Sequence, residues 1–389
     1  MSKGLFHCVT LSFFLVLLLA ACGSNHSDGF SEAGDTLCLR YAKNLTIVTF
    51  PDRTEVTMRN PWDTTQTLAR YCMVAKSADA KSSMVNGPSA TTIAPWCKST
   101  QEWSMVNVPL ERAAVFGSVH CALLHELGAD DAVGGICDLE FFNLAEYKKA
   151  VADGRIVNLG NSMQPSLEKI IDLGPDALMP SPFENSGGLG RIERLGIPII
   201  WCADYMENTP LGRAEWIRFY GRLFGRAEEA DSIFNAVECR YLELCTKASN
   251  AKTKPRLLPE MPWSGQWTLP GSGSSSTRLY ADAGADYLFA DLKGNGGIPL
   301  STEKVVDKAV DADIWIIKHH GPLDRKQMNA DTPLLANVKA PIWWCDTSKN
   351  LLYEETPFHP ERLLENLIAI LHPELGIETE RKYFEPLKE

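Results

Sequence analysis

Beyond its N-terminal segment the chain has no uninterrupted apolar run of the about 20 residues that a membrane-spanning helix needs. Its charge has the wrong sign for nucleic acid: the formal net charge is −11, whereas phosphate binding rests on clustered Lys and Arg. No two cysteines form a C-x-x-C pair, which weakens any metal reading. His125-Glu126 lacks the second histidine of H-E-x-x-H, because position 129 is Ala. Gly271-Ser272-Gly273 lacks the Gly-Lys-Ser/Thr ending of a phosphate loop and is not a G-x-S-x-G nucleophile elbow. His120, Cys121, His125 and Cys137 are spaced too loosely for a zinc signature, and residues 121 and 125 share a helix face that more often packs. Catalysis has no motif to stand on.

What is present begins with Lys3 and the apolar run Leu11 to Leu19, the charged and apolar regions of a signal peptide. Leu19-Ala20-Ala21-Cys22 then resembles the lipobox of bacterial lipoproteins. The resemblance implies cleavage before Cys22 and acylation of its sulfur. An ordinary secretory signal with a chance cysteine is the alternative, and both place the protein outside the cytoplasm, in the periplasm. Of eleven cysteines, Cys8 falls in the signal and Cys22 takes the lipid; the nine left are an odd number and cannot all pair. Apolar settings such as Cys202 after Ile199-Ile200-Trp201 suit buried thiols, with one or two disulfides left open.

A length of 389 residues is natural for two lobes. The expected organisation is a signal peptide over 1–21, a polar tether over 22–34, and a β-rich addition over 35–110 packed on the first lobe. An α/β lobe over 111–208, a helical bridge over 209–249 and a second α/β lobe over 250–389 follow. Alternation at Ile47, Val48 and Phe50, then Pro51-Asp52-Arg53, then Val56 and Met58 predicts a hairpin. From Arg112 strands alternate with helices: Ala113-Ala114-Val115-Phe116, a helix from Val119 to Leu127, then strands at 133–136, 156–159, 177–179 and 197–201. Short helices are expected at 167–173 and around 190–195. That rhythm argues for a parallel sheet with helices on its faces.

Thr209-Pro210 opens a helical stretch whose apolar residues, from Trp216 and Phe219 to Tyr241 and Leu244, recur every three or four positions. Gly225 should break it; the second half alone, from Arg226 to Ala248, reaches about 35 Å at 1.5 Å per residue. After residues 250–255 the rhythm resumes with strands at 256–258 and 314–317, a last strand at 341–344, and helices at 277–283 and 360–371. The fold class is α/β: two Rossmann-like lobes joined by one long helix, with no obvious sequence repeat between them.

Residues 112 to about 375 resemble the solute-binding proteins of ABC importers for iron chelates, haem and cobalamin. The resemblance rests on Arg112-Ala113-Ala114-Val115 with 127–135, on Asn158-Leu159-Gly160 with 166–176, on Leu195-Gly196-Ile197-Pro198-Ile199, and on Leu223-Phe224-Gly225 with Ala227-Glu228-Glu229-Ala230. It implies a rigid bridge, a largely preformed cleft, and an exposed glutamate on each lobe that meets the permease dimer. The matching positions are Glu168 and Glu303, each just inside a helix behind a serine. A carboxylate there is also explained by helix capping alone.

Ligand loops belong at the carboxyl ends of strands. These hold Ser118 and His120, Asp138, and Asn161, Ser162 and Met163 in the first lobe, and Trp263, Trp267, Ser272, Lys318, His319 and His320 in the second. Aromatics offer flat area to a macrocycle, and Lys and His can meet carboxylates or an axial metal position. Trp263 and Trp267 serve equally as core residues, and His319-His320 equally as a solvated loop. The expected function is a lipid-anchored receptor that hands an iron chelate, haem or corrinoid to an ABC permease, with no catalysis, no resident cofactor or structural metal, and no nucleic acid. The alternatives are a chelate-processing enzyme on the same scaffold and an adhesion or assembly lipoprotein acting through the β-rich addition.

Overall fold

In the N-terminal addition, alternation builds a sheet. The computed structural model describes residues 34–76, 103–184, 189–379 and 382–388; the signal segment, Cys22 and Cys97 lie outside the described residues. Strands Asp35–Thr36 (β1), Leu45–Thr49 (β2), Thr54–Arg59 (β3), Thr67–Ala75 (β4) and Ser104–Val108 (β5) form one sheet in sequential order. β2 and β3 are the expected hairpin: Leu45, Ile47, Val56 and Met58 point inward, and Phe50 N donates to Arg53 O at 2.8 Å to close the turn. Tyr71 carries the sheet onto the rest of the protein. Its ring stacks on Phe219 at 6.2 Å, and its hydroxyl accepts from Trp201 N at 3.0 Å.

The first lobe has strands Ala113–Val115 (β6), Val133–Ile136 (β7), Val157–Asn158 (β8) and Ala177–Met179 (β9), all parallel in the order β8-β7-β6-β9. Its helices are Ser118–Glu126 (α1), Ala145–Ala152 (α2) and Leu167–Leu173 (α3). Pro210–Ala214 (α4), Ile217–Leu223 (α5) and Ala227–Ala248 (α6) make the bridge. Pro210 opens α4, and the Thr209 hydroxyl accepts from Gly212 N at 3.0 Å. The chain turns at Gly225, whose φ of +68° is left-handed and ends α5. α6 buries Ala230, Phe234, Val237, Tyr241, Leu244 and Ala248 along one face.

The second lobe contains Arg256–Pro259 (β10), Gln266–Pro270 (β11), Asp286–Tyr287 (β12), Gly297–Ser301 (β13), Ile314–His319 (β14), Ile342–Asp346 (β15) and Glu385–Pro386 (β16). Its main sheet runs β12-β10-β14-β15-β16, parallel except for β16, and β11 pairs with β13 antiparallel as a separate ribbon. Its helices are Ser275–Asp282 (α7), Thr302–Ala309 (α8), Arg325–Asp331 (α9), Leu352–Glu355 (α10) and Pro360–Leu371 (α11).

Three expectations are corrected. The helix around 190–195 is one tight turn, Ile192–Leu195, because Gly190 and Gly196 flank it at φ +59° and +70°. The strand at 197–201 shrinks to a single parallel bridge between Leu178 and Ile199, since Pro198 has no N–H to extend the ladder. The strand near 341–344 is not the last: β16 returns antiparallel along its edge.

Candidate functional site

Three cavities run between and along the lobes. The first, about 490 Å³, lies at the carboxyl ends of the first-lobe strands and is walled by Phe116, Asp138, Ser162, Met163, Phe183 and Tyr205. The second, about 620 Å³, takes Tyr205, Glu207 and Arg213 from the first-lobe side and Glu260, Trp263 and Tyr353 from the second. The third, about 570 Å³, shares Met261 and Trp263 with the second and adds His319. Tyr205 joins the first to the second, so the three form one cleft.

Exposed apolar side chains concentrate there. Of the ten large ones exposed among the described residues, Met163, Phe183, Tyr205, Trp263 and Tyr353 line the cleft. Trp263 is 80% exposed, a costly position for an indole facing water. Backbone strain concentrates there as well. The non-glycine residues at positive φ among the described residues are Asp138 (53°), Glu260 (62°) and Ser264 (49°), and each lines one of the three cavities. Such conformations cost of order 1–3 kcal/mol each and persist where surrounding structure imposes them. Asp138 is held by its own N–H to Gly160 O at 2.8 Å, and its carboxylate accepts from Ser162 N at 2.9 Å. Glu260 donates its N–H to Ile316 O at 2.8 Å and accepts at its carbonyl from Trp315 Nε1 at 2.6 Å.

The structure therefore gathers Asp138, Ser162, Met163, Trp263 and His319 at the cleft. Asn161 is exposed beside them, its side chain accepting from Met163 N at 2.9 Å, and Ser118 is half-buried in the first turn of α1. His320 is exposed, and its ring lies 6.5 Å from that of Phe141 of the first lobe. Three candidates lie elsewhere. Trp267 is fully buried against Trp315, with Nε1 donating to Pro259 O at 3.2 Å, so it is core. His120 is buried against Asp204 at 2.8 Å. Ser272 is exposed outside the three cavities, its N–H donated to Leu292 O at 2.6 Å. Lys318 is not open to a ligand carboxylate, because its Nζ pairs with Glu260 at 2.5 Å. Burial works against its charge, but Glu260 prevails and its ammonium is held above the ordinary lysine range.

Sequence reasoning missed Tyr205, Arg213, Glu260 and Tyr353. Glu260 alone carried a signal: it directly follows a strand end, where the loop rule already looked. His125 pairs with Asp130 at 2.9 Å, Cys121 and Cys137 are buried thiols, and no group of metal-ligating side chains converges among the described residues. Cys38, Cys121, Cys137, Cys202, Cys239, Cys245 and Cys345 are free thiols.

The lobes are also fastened directly. Asn143 Nδ2 donates to Thr347 O and Asn350 O, both at 2.8 Å, and Asn143 N donates to Glu354 at 3.0 Å. His359 sits between Glu126 of α1 at 2.6 Å and Glu361 at 2.8 Å. Burial opposes its charge, yet the two carboxylates raise its pKa to about 9. With the bridge, these ties hold the cleft at a set width.

Glu168 and Glu303 are both exposed, each the second residue of a serine-capped helix: Ser166 accepts from Lys169 N at 3.3 Å and Ser301 from Lys304 N at 3.4 Å. α3 and α8 carry a short sequence repeat. Ser166-Leu167-Glu168-Lys169-Ile170-Ile171-Asp172 matches Ser301-Thr302-Glu303-Lys304-Val305-Val306-Asp307 position by position, with Leu167 and Thr302 the one change of character.

Residues 114–341 match the family model described as periplasmic binding protein. The chain belongs to the periplasmic binding protein family. It is 25% identical over 358 residues to an uncharacterized lipoprotein of Methanocaldococcus jannaschii, covering 88% of this chain and 84% of that one. In fold it is similar to a periplasmic heme binding protein from Pseudomonas aeruginosa, with a TM-score of 0.56, 17% identity, and coverage of 72% of this chain and 99% of that one. It is also similar to a periplasmic vitamin B12 binding protein of Vibrio cholerae, with a TM-score of 0.51, 16% identity, and coverage of 69% and 99%. A triscatecholate siderophore binding protein from Bacillus subtilis complexed with ferri-bacillibactin gives a TM-score of 0.53 at 19% identity, over 69% of this chain and 94% of that one. These likenesses establish the shared fold of the two lobes and the bridge; they cover about seven tenths of the chain.

Proposed function

We propose that this periplasmic binding protein is an extracytoplasmic lipoprotein that captures an iron chelate, haem or a corrinoid and delivers it to an ABC permease. The observation that carries the reading is the concentration of exposed aromatic and methionine side chains, drawn from both lobes, in one cleft whose rim residues hold strained backbone. Flat apolar area open to water suits a large rigid ligand that covers it. The names of similar structures, for haem, vitamin B12 and a ferric catecholate, are in keeping with such a ligand. Cys22 is the acylation site in this reading, supported by the lipobox and by the lipoprotein relative.

Glu168 and Glu303 are its permease contacts. The seven-residue repeat gives each lobe the same capped helix and the same leading carboxylate, which suits a two-fold permease dimer presenting basic side chains. Reversing both to Lys should cut uptake by about tenfold or more while leaving ligand affinity within about twofold, because rim charges steer encounter rather than fill the pocket. Uptake at the parental rate would remove this docking assignment.

The ligand itself is tested by purifying the protein from its source and recording its native mass and absorption spectrum. A corrinoid, haem or ferric siderophore each absorbs distinctively. Trp263→Ala should weaken retention of that ligand by about tenfold, in line with the loss of one large apolar contact, without lowering the melting temperature, since the ring is solvent-facing. A purified protein that converts its chelate to a new species, instead of returning it unchanged, would transfer the case to an enzyme.

A further inference from the structure

The charged residues lining the 620 Å³ cavity differ in how fully they are engaged. Glu207 is buried and accepts N–H groups from Lys43 at 2.9 Å, Asn44 at 2.9 Å and the Trp216 indole at 3.0 Å. Glu260 is paired with Lys318. Arg213, the charged residue of α4, donates Nε to Asp204 Oδ2 at 3.0 Å, and its two terminal nitrogens have no hydrogen-bond partner among the described residues. It is therefore the lining charge with directional capacity left for a ligand.

Its position is set from below. Asp204 is 1% exposed, and its other oxygen meets both His120 Nε2 and Tyr220 Oη at 2.8 Å. Although burial penalises its charge, Cys202 and Asp204 raise the His120 pKa to about 10, and Asp204 stands between His120 and Arg213. Arg213 is the member of the trio that reaches the cavity, its side chain 26% exposed. α4 packs against α7, whose leading residues Ser275 and Ser276 line the same cavity. That wall brings hydroxyls, and the first turn of α7 has no acidic residue to repel an anion.

We infer that Arg213 is a ligand-binding residue and that the ligand presents it with an oxyanion, a carboxylate or a comparable pair of delocalised oxygens, so that the cleft selects anionic chelates over neutral and cationic ones. The inference rests on the receptor reading above. A guanidinium with both terminal nitrogens open takes such a group in a two-pronged bond that an ammonium cannot copy.

The test titrates the purified protein with four probes, haemin and ferric citrate as anions, cyanocobalamin as a neutral corrinoid and ferrioxamine B as a cation, following tryptophan emission, to which Trp263 in the cavity wall contributes. An anionic probe should bind tightest. Arg213→Gln should weaken it about 100-fold and Arg213→Lys about tenfold, the latter keeping the charge and a contact to Asp204 should the former fold poorly. Tightest binding of cyanocobalamin or ferrioxamine B, or an anion affinity unmoved in both variants, overturns the inference and leaves the receptor reading standing. No binding of any of the four overturns both.

Discussion

Glu215→Ala should lower the free energy of unfolding by about 4 kcal/mol, roughly a thousandfold in the folding equilibrium. Glu215 is fully buried. Its carboxylate accepts from Arg40 N at 2.9 Å and from Tyr41 N and Ala42 N at 2.8 Å. The next two amides, Lys43 and Asn44, donate to Glu207, so five consecutive N–H groups converge on two carboxylates, Glu215 between α4 and α5 and Glu207 just before α4. Removing one acceptor strands three donors where water does not reach easily, and each such group costs about 1–3 kcal/mol. Urea unfolding at constant slope reads the loss. Exposed Glu228 on α6 is the control, and its alanine variant should stay within about 0.5 kcal/mol of the parent. A Glu215→Ala loss no larger than that control would mean the clasp holds nothing.

The same clasp gives the N-terminal addition a physical part in the cleft. Arg40 and the Tyr41 hydroxyl both engage Glu238 in the middle of α6, the latter at 2.6 Å, and burial together with Glu238 pushes the Tyr41 pKa up to about 12. Glu207, which the addition holds, also walls the ligand cavity. The addition thus splints the bridge on the outside while fixing a cleft residue on the inside. A bridge fastened along its length resists hinge bending, in keeping with a cleft formed before ligand arrives.

Much of this architecture was legible because local periodicity and burial agreed. The face of α6 from Ala230 to Ala248 follows directly from its spacing, and Gly225 ends α5 where only a residue without a side chain turns easily. What escaped depends on partners far away in sequence. Nothing near Arg40 to Asn44 announces that their amides will find carboxylates over 160 residues later. Trp267 reads like a cleft aromatic until Trp315 is placed beside it, and His120 like a loop ligand until Asp204 is. β16 is two residues long, too short for any alternation to mark it. The repeat between α3 and α8 was present in the letters, but its apolar positions vary among Ile and Val and its second position changes from Leu to Thr, so only the matching caps and exposed faces single it out.

Asp204→Ala should both destabilise the protein by about 3–5 kcal/mol, the cost of breaking a buried ionic pair, and weaken its pH dependence above neutrality. In the parent, His120 is raised from its ordinary 6.5 to about 10; this contribution is complete below pH 6.5 and is lost as pH climbs toward 10. Asp204 itself is held below its ordinary 3.8: burial opposes its charge, but His120 and Arg213 outweigh burial, so its contribution holds above pH 3.8 and fades in acid. Without the carboxylate, His120 loses one of the two groups that raise it while burial still opposes its charge, so its pKa falls back toward the ordinary value. The variant should lose less stability than the parent as pH rises above 6.5. His359, raised to about 9 by its own carboxylates, adds the same downward slope to both proteins and cancels in the comparison. Urea unfolding of the two chains from about pH 5 to 8 measures the difference. Parallel curves would show that Asp204 does not govern the charge of His120.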